Sequence, residues 1–158
     1  MKHTDVQRIP LQVSQGCVVA SIQIDLTEEI LTQFRKDLLD CLYETGAKGL
    51  ILDLSGVEVM DSEDFQALNK TLSMASLMGA KAILTGFQPG VVSSLVDLNV
   101  EIDHINATLN LDAAFDLMKH LNGESADNLE EEEKENVAEK FEEELEENGT
   151  AQISLDWS

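Results

Sequence analysis

Residues 49–65 read Gly49-Leu-Ile-Leu-Asp-Leu-Ser-Gly-Val-Glu-Val-Met-Asp-Ser-Glu-Asp-Phe65. The apolar run from Leu50 to Leu54, bounded by Gly49 and Gly56, has the length and composition of a strand buried on both faces. A short turn follows. From Asp61-Ser62 onward, Phe65, Leu68, Leu72 and Ala75 recur at helical spacing, so a buried strand delivers the chain directly to a helix start. Ser62 therefore sits at an exposed strand-to-helix junction, where unpaired amide N–H groups and the positive end of the helix dipole favour negative charge and would hold a phosphate. The same residues also read as an ordinary cap, with either Asp61 or Ser62 at the N-cap and Asp64 completing a capping box from Asp61.

Working outward toward the N-terminus, Ile9, Leu11 and Val13 alternate with polar or neutral neighbours as in a half-buried strand. Gln15-Gly16 punctuates it, and Cys17 to Ile24 gives a second strand across a short gap, which predicts a hairpin. Asp25 or Thr27 caps a helix from Glu28 to Tyr43, whose apolar stripe is Ile30, Leu31, Phe34, Leu38, Cys41 and Leu42. Cys17 and Cys41 lie on apolar faces and are expected to act as small hydrophobes rather than as a disulfide.

An internal echo fixes the architecture. Gly46-Ala-Lys-Gly-Leu-Ile-Leu closes the first helix and Gly79-Ala-Lys-Ala-Ile-Leu closes the second, each a helix, a glycine stop and an apolar strand. Two such copies are βαβ units. The second continues through a strand at Ala82–Thr85, the loop Gly86-Phe-Gln-Pro-Gly90 and a helix at Val91–Leu98. A short strand near Glu101–Ile105 and a helix at Leu111–Leu121 complete the body. The expected fold is α/β (α+β), a mixed β-sheet with about four helices packed on one face.

The formal net charge is −21. Residues 122–158 hold 14 acidic and 2 basic residues, whereas residues 1–121 hold 17 and 8. Both parts are acidic, which argues against nucleic acid and anionic membrane surfaces, since these call for clustered Lys and Arg. Lys2, His3, Asp5 and Arg8 precede any apolar run, and no apolar stretch approaches a membrane span of roughly 18 residues, so a soluble, unexported, cytoplasmic chain is expected. The division is a domain at 1–121 and an acidic, flexible tail at 122–158. Within the tail, Val137, Phe141 and Leu145 fall at i, i+4 and i+8, an amphipathic helix on docking, and Ile153, Leu155 and Trp157 alternate as in an added edge strand.

Catalytic constellations are sparse. His3, His104 and His120 stand alone, the cysteines lack metal spacing, and there is no dinucleotide or P-loop glycine pattern. The Gly86–Gly90 loop could cradle an anion but carries no Lys. Asp61, Glu63 and Asp64 lack the spacing of a calcium loop and read as helix-start acids. No catalytic group, cofactor or metal is expected.

The order strand, strand, helix, strand, Asp-Ser, helix, strand, helix, strand, helix over residues 7–121 resembles a STAS domain, the family of anti-sigma-factor antagonists. The residues that carry the likeness to its RsbS-type stressosome members are Thr45-Gly-Ala-Lys-Gly49, Val59-Met-Asp-Ser62, Ser76-Leu-Met-Gly-Ala-Lys81 and Thr85-Gly-Phe-Gln-Pro89. The resemblance implies a non-enzymatic phosphoprotein that is modified at Ser62 by a switch serine/threonine kinase. It implies a second phosphosite at Ser94, with Ser93 as the less favoured position, and partner contacts at Asp61, Ser62, Glu63 and Phe65. It also implies paralogous STAS partners and homo-oligomers, dimers within a large assembly. The alternatives are a stand-alone antagonist bound directly to an anti-sigma kinase, and a small-ligand-binding STAS domain. The family places small or apolar residues after the phosphosite, whereas this chain has Glu63 and Asp64. The tail lies outside the likeness.

Overall fold

The computed structural model describes residues 7–102 and 105–156. Among the described residues, five strands and four helices follow in the order β1 (Leu11–Ser14), β2 (Cys17–Ser21), α1 (Glu28–Thr45), β3 (Gly49–Asp53), α2 (Ser62–Leu77), β4 (Lys81–Thr85), α3 (Pro89–Asp97), β5 (Asn106–Thr108) and α4 (Leu111–Asp156). The sheet order is β1-β2-β3-β4-β5. β1 runs antiparallel to β2, and the remaining pairs are parallel. The β1–β2 hairpin turns through Gln15 and Gly16, both at positive φ (52° and 75°), as a two-residue turn matched to strand twist requires. The three parallel pairs need crossovers, and each is made by a helix.

The alternation of side chains in β2 and β3 explains both faces of the sheet. Val18, Ala20, Leu50, Leu52 and Leu84 share one core with Phe34 and Leu38 of α1, Leu68 and Leu72 of α2, and Val91 and Leu95 of α3. The intervening residues Cys17, Val19, Ile51 and Ile83 point to the other face and are equally buried, as are Ala114 and Met118 of α4. At Gly49 an added Cβ would lie 2.7 Å from Met118 Sδ and 2.9 Å from Cys17 Sγ, so the glycine is what admits α4's first turns to that face. Expecting helices on one face only was therefore incomplete. A strand as apolar as 50–54 must be covered on both sides, and α4 covers the second.

Thr27 is the N-cap of α1, its hydroxyl accepting from the Ile30 amide at 3.2 Å, and Gly46 ends the helix in the left-handed conformation. Both cysteines are free thiols, and burial raises the pKa of each. The last strand falls later than Glu101–Ile105. Ladder pairing of Ile83 with Asn106 and Thr85 with Thr108, together with a Thr85 hydroxyl bond to the Thr108 carbonyl at 3.1 Å, sets its place, and three residues are too few to show a period. His3 and His104 lie outside the described residues.

The chain forms two units, Met1–Lys119 and His120–Ser158. In the second, α4 runs through Ala151–Asp156, so Ile153 and Leu155 belong to a helix rather than an edge strand, and Trp157 lies outside the described residues. Among the described residues no helix is long and apolar enough to cross a membrane.

Candidate functional site

The β3–α2 connection is pinned from below and open above. β3 ends at Asp53, whose carboxylate accepts from the Ser55 amide at 3.0 Å, and Val57 closes a turn onto the Leu54 carbonyl at 2.9 Å. Val57 and Met60 are buried and hold the loop to the core, while Val59 between them is 79% exposed. Gly56 has no room for a side chain, because a Cβ there would lie 2.7 Å from the Ile22 carbonyl oxygen. The loop thus hands over to α2 at a fixed place.

The N-cap of α2 is Asp61. Its Oδ1 accepts from the Asp64 amide at 2.8 Å, with extended backbone at the cap. Ser62 is consequently the first helical residue, and among the described residues its hydroxyl takes no part in capping. It is half-buried, with Asp61 and Glu63 exposed on either side. Asp64 is half-buried, and desolvation raises its carboxyl pKa above the ordinary value, the charges of Asp61 and Glu63 adding to the rise. Asp61 and Glu63, expected from the sequence as partner contacts, are exposed at the surface. Phe65 is not: it is 2% exposed and belongs to the core. Phe65 packs into the core with Leu68 and Leu72 of the same helix, so it anchors α2 and is not reachable by a docking partner.

The neighbouring loop supports the first. Gln88 Nε2 donates to the Ser55 carbonyl at 2.5 Å, and Leu54 N donates to Thr85 O at 2.8 Å. Gly86 has φ 74°, and a Cβ there would lie 2.9 Å from Asp53 Oδ1 and 3.0 Å from both Ser55 Cβ and Ser55 N. At Gly90, in the first turn of α3, a Cβ would meet the Glu58 carbonyl oxygen at 3.2 Å. The two loops therefore pack as one layer beside the α2 start. A carboxylate oxygen lies against Gly86 and its amide is turned toward the Thr108 carbonyl at 3.4 Å, an arrangement opposed to the anion cradle considered from the sequence. Ser94 lies one turn into α3, half-buried, with its hydroxyl donating to the Gly90 carbonyl at 2.9 Å; Ser93 is exposed.

At the α2 start, α1 and α2 border a cleft of about 410 Å³ lined by Leu31 and Arg35 of α1 and by Glu63, Gln66 and Lys70 of α2, among others. Arg35 Nε is buried there with no hydrogen-bond partner among the described residues. Gln66 is one helical turn beyond Ser62, so the cleft continues the surface on which Ser62 stands. No group of three or more His, Cys, Asp or Glu among the described residues is arranged to hold a metal ion.

Sequence reasoning reached Asp61, Ser62 and Glu63 from the strand-to-helix transition. It missed Gln88, Gly56, Gly90 and Arg35. Gly56 and Gly90 were visible only as punctuation, and nothing in the local pattern marks a loop Gln or a helical Arg as reaching a second element.

A family model described as STAS domain matches residues 8–114. The sequence is 28% identical over 96 residues to the RsbT co-antagonist protein RsbRB of Bacillus subtilis (strain 168), a match covering 58% of this chain and 35% of that protein, so the chain spans about a third of that relative's length. A serine-to-glutamate variant of RsbS from Moorella thermoacetica superimposes with a TM-score of 0.64 at 28% identity, covering 72% of this chain and 97% of that one. A chain from a structure described as the molecular architecture of the stressosome, a signal integration and transduction hub, gives 0.64 at 29% identity and covers 72% and 98%. The phosphorylated form of the Bacillus cell-fate determinant SpoIIAA shares the fold at a TM-score of 0.52 and 15% identity.

Proposed function

The chain belongs to the STAS domain family, related to the stressosome RsbS and RsbR proteins and to anti-sigma-factor antagonists, and on that premise we propose that it is a non-enzymatic scaffold and antagonist of a switch serine kinase. Unphosphorylated, it assembles with paralogous STAS proteins, as dimers within a larger cytoplasmic particle, and holds the kinase on the surface around the α2 start. Phosphorylation of Ser62 releases the kinase. Ser94 is the second candidate site. The domain occupies residues 1–121, with residues 122–158 as an acidic appendage.

The observation that carries this reading is the division of labour at the α2 start: Asp61 caps the helix, which leaves the half-buried Ser62 as the first helical residue and outside the cap. A phosphoryl group adds a charge of about −1.5 to −2. The helix dipole returns about 0.3–1 kcal/mol, but Asp61, Glu63 and Asp64 surround the new charge with carboxylates. The net change is a patch of concentrated negative charge whose desolvation opposes a close-packed contact. The two-loop layer under Ser62 supports a surface modulated by charge, since the backbone has little freedom to move away. The name of the Bacillus relative, a co-antagonist of RsbT, supports an antagonist's role. By contrast, Ser94 already uses its hydroxyl in an intrahelical bond, which must break before modification.

The test is titration of the purified switch kinase against the full chain and its Ser62→Ala and Ser62→Asp variants. Ser62→Ala is expected to bind as the parent does and Ser62→Asp at least about tenfold more weakly. Equal binding by both variants refutes the charge mechanism. Light scattering of the chain mixed with a paralogue separates a large defined particle from the heterodimer that a stand-alone antagonist would form.

A further inference from the structure

In the second unit, residues 134–146 of α4 are exposed throughout. Val137, Phe141 and Leu145 are 69%, 63% and 56% exposed. Steps of four residues align them in one stripe about 12 Å long, with eight charged side chains, Asn136 and Ala138 on the remaining surface. Large apolar side chains at this spacing gain nothing from facing water, and ordinary solvated helices carry charged or polar residues there.

We propose that this stripe is a docking helix, and that its occupant is a partner protein with an apolar groove bordered by Lys and Arg side chains. Charge and spacing select that occupant. Residues 134–146 carry six acids and two lysines, within a tail of 14 acids and 2 bases. A second copy of the helix would bring like charges together. The stripe also fails as a self-pairing seam: a heptad register through Val137 and Phe141 places Lys134 and Glu144 at the next seam positions. The chain's own residues 1–121 carry 17 acids against 8 bases and repel the segment too. Nucleic acid and anionic lipid have the same sign. A basic-rimmed groove satisfies both features, the floor taking the three anchors in helix-in-groove fashion and the rim pairing with the glutamates. This inference does not depend on whether Ser62 is phosphorylated.

The experiment places the photo-reactive p-benzoylphenylalanine at position 141 of the full chain, irradiates cells of the source organism and maps the cross-linked peptide by mass spectrometry. The partner so identified is then purified and titrated against the parent chain and the double variant Val137→Ala, Phe141→Ala. Alanine is the better helix former, so lost binding reports lost anchors rather than a lost helix. The expected result is a cross-link to a groove flanked by Lys or Arg, with affinity falling about tenfold or more in the double variant and again on raising salt from about 0.05 to 0.3 M. Cross-links confined to a second copy or to residues 1–121 of the same chain, no cross-link at all, or a partner indifferent to both the variant and salt each overturn the proposal.

Discussion

Two glycines with nearly the same backbone conformation offer a controlled measure of how tightly the loops around Ser62 are packed. Gly46 has φ 64° and nothing within 4 Å of an added Cβ, whereas Gly86 has φ 74° and three atoms at 2.9–3.0 Å: Asp53 Oδ1, Ser55 Cβ and Ser55 N. Alanine at either position meets the left-handed backbone cost of about 1–2 kcal/mol. The gain from a stiffer unfolded chain is common to both and cancels in the comparison. Only Gly86→Ala adds overpacking against a backbone nitrogen and a hydrogen-bonded carboxylate, typically about 1–3 kcal/mol. Gly46→Ala is thus expected to lose about 1–2 kcal/mol and Gly86→Ala about 2–5. The assay is urea unfolding followed by methyl resonances of buried Ile51 and Leu52, because those residues report on the sheet alone. With a slope of about 1–3 kcal/mol per molar urea, the two midpoints should differ by about 1 M. The Ser62 amide resonance should shift in Gly86→Ala and stay in place in Gly46→Ala. Equal losses, or an unmoved Ser62 amide, refute the claim that the two loops form one packed layer.

Further expectations concern the α2 start. Asp61→Ala should lose about 1 kcal/mol of stability and accelerate hydrogen exchange at the Asp64 amide, with Asp61→Asn close to the parent. Phe65→Ala should cost about 3–5 kcal/mol in urea unfolding while leaving kinase affinity per folded molecule unchanged, since Phe65 is core and not contact surface. The raised carboxyl pKa of Asp64 means that the folded state holds its proton more firmly than the unfolded chain. The stability this contributes is present below the ordinary carboxylate value and is lost as pH rises through the folded pKa. Asp64→Asn should therefore gain on the parent as pH rises toward neutrality, and a carbon-detected titration should place Asp64 above an exposed aspartate; a gap independent of pH contradicts the assignment.

The fold was legible because its main signals are local. An apolar run at 50–54 between glycines, helical periods on either side and the repeated Gly-Ala-Lys stop are each properties of a few consecutive residues, and the parallel sheet followed from joining them. The position of Ser62 was legible for the same reason, as a helix start is marked by its own first turn. Which side chain caps that start was not: Asp61 and Ser62 are both good N-caps, and only backbone geometry gave the role to Asp61. Likewise, the short strand β5 has no period of its own and takes its place from β4. Phe65 read as part of the apolar stripe of α2 and, through the family resemblance, as a partner contact; its burial in the core decides for the first. What only the tertiary structure decided is the set of contacts between segments far apart in sequence. These are Gln88 on the Ser55 carbonyl, Gly86 and Gly90 against the β3–α2 loop, Met118 over Gly49, and Arg35 in the cleft between α1 and α2. Hydrophobic pattern and turn chemistry determine which elements form and which face each buries; close approach across loops depends on where those elements meet, which no local pattern records.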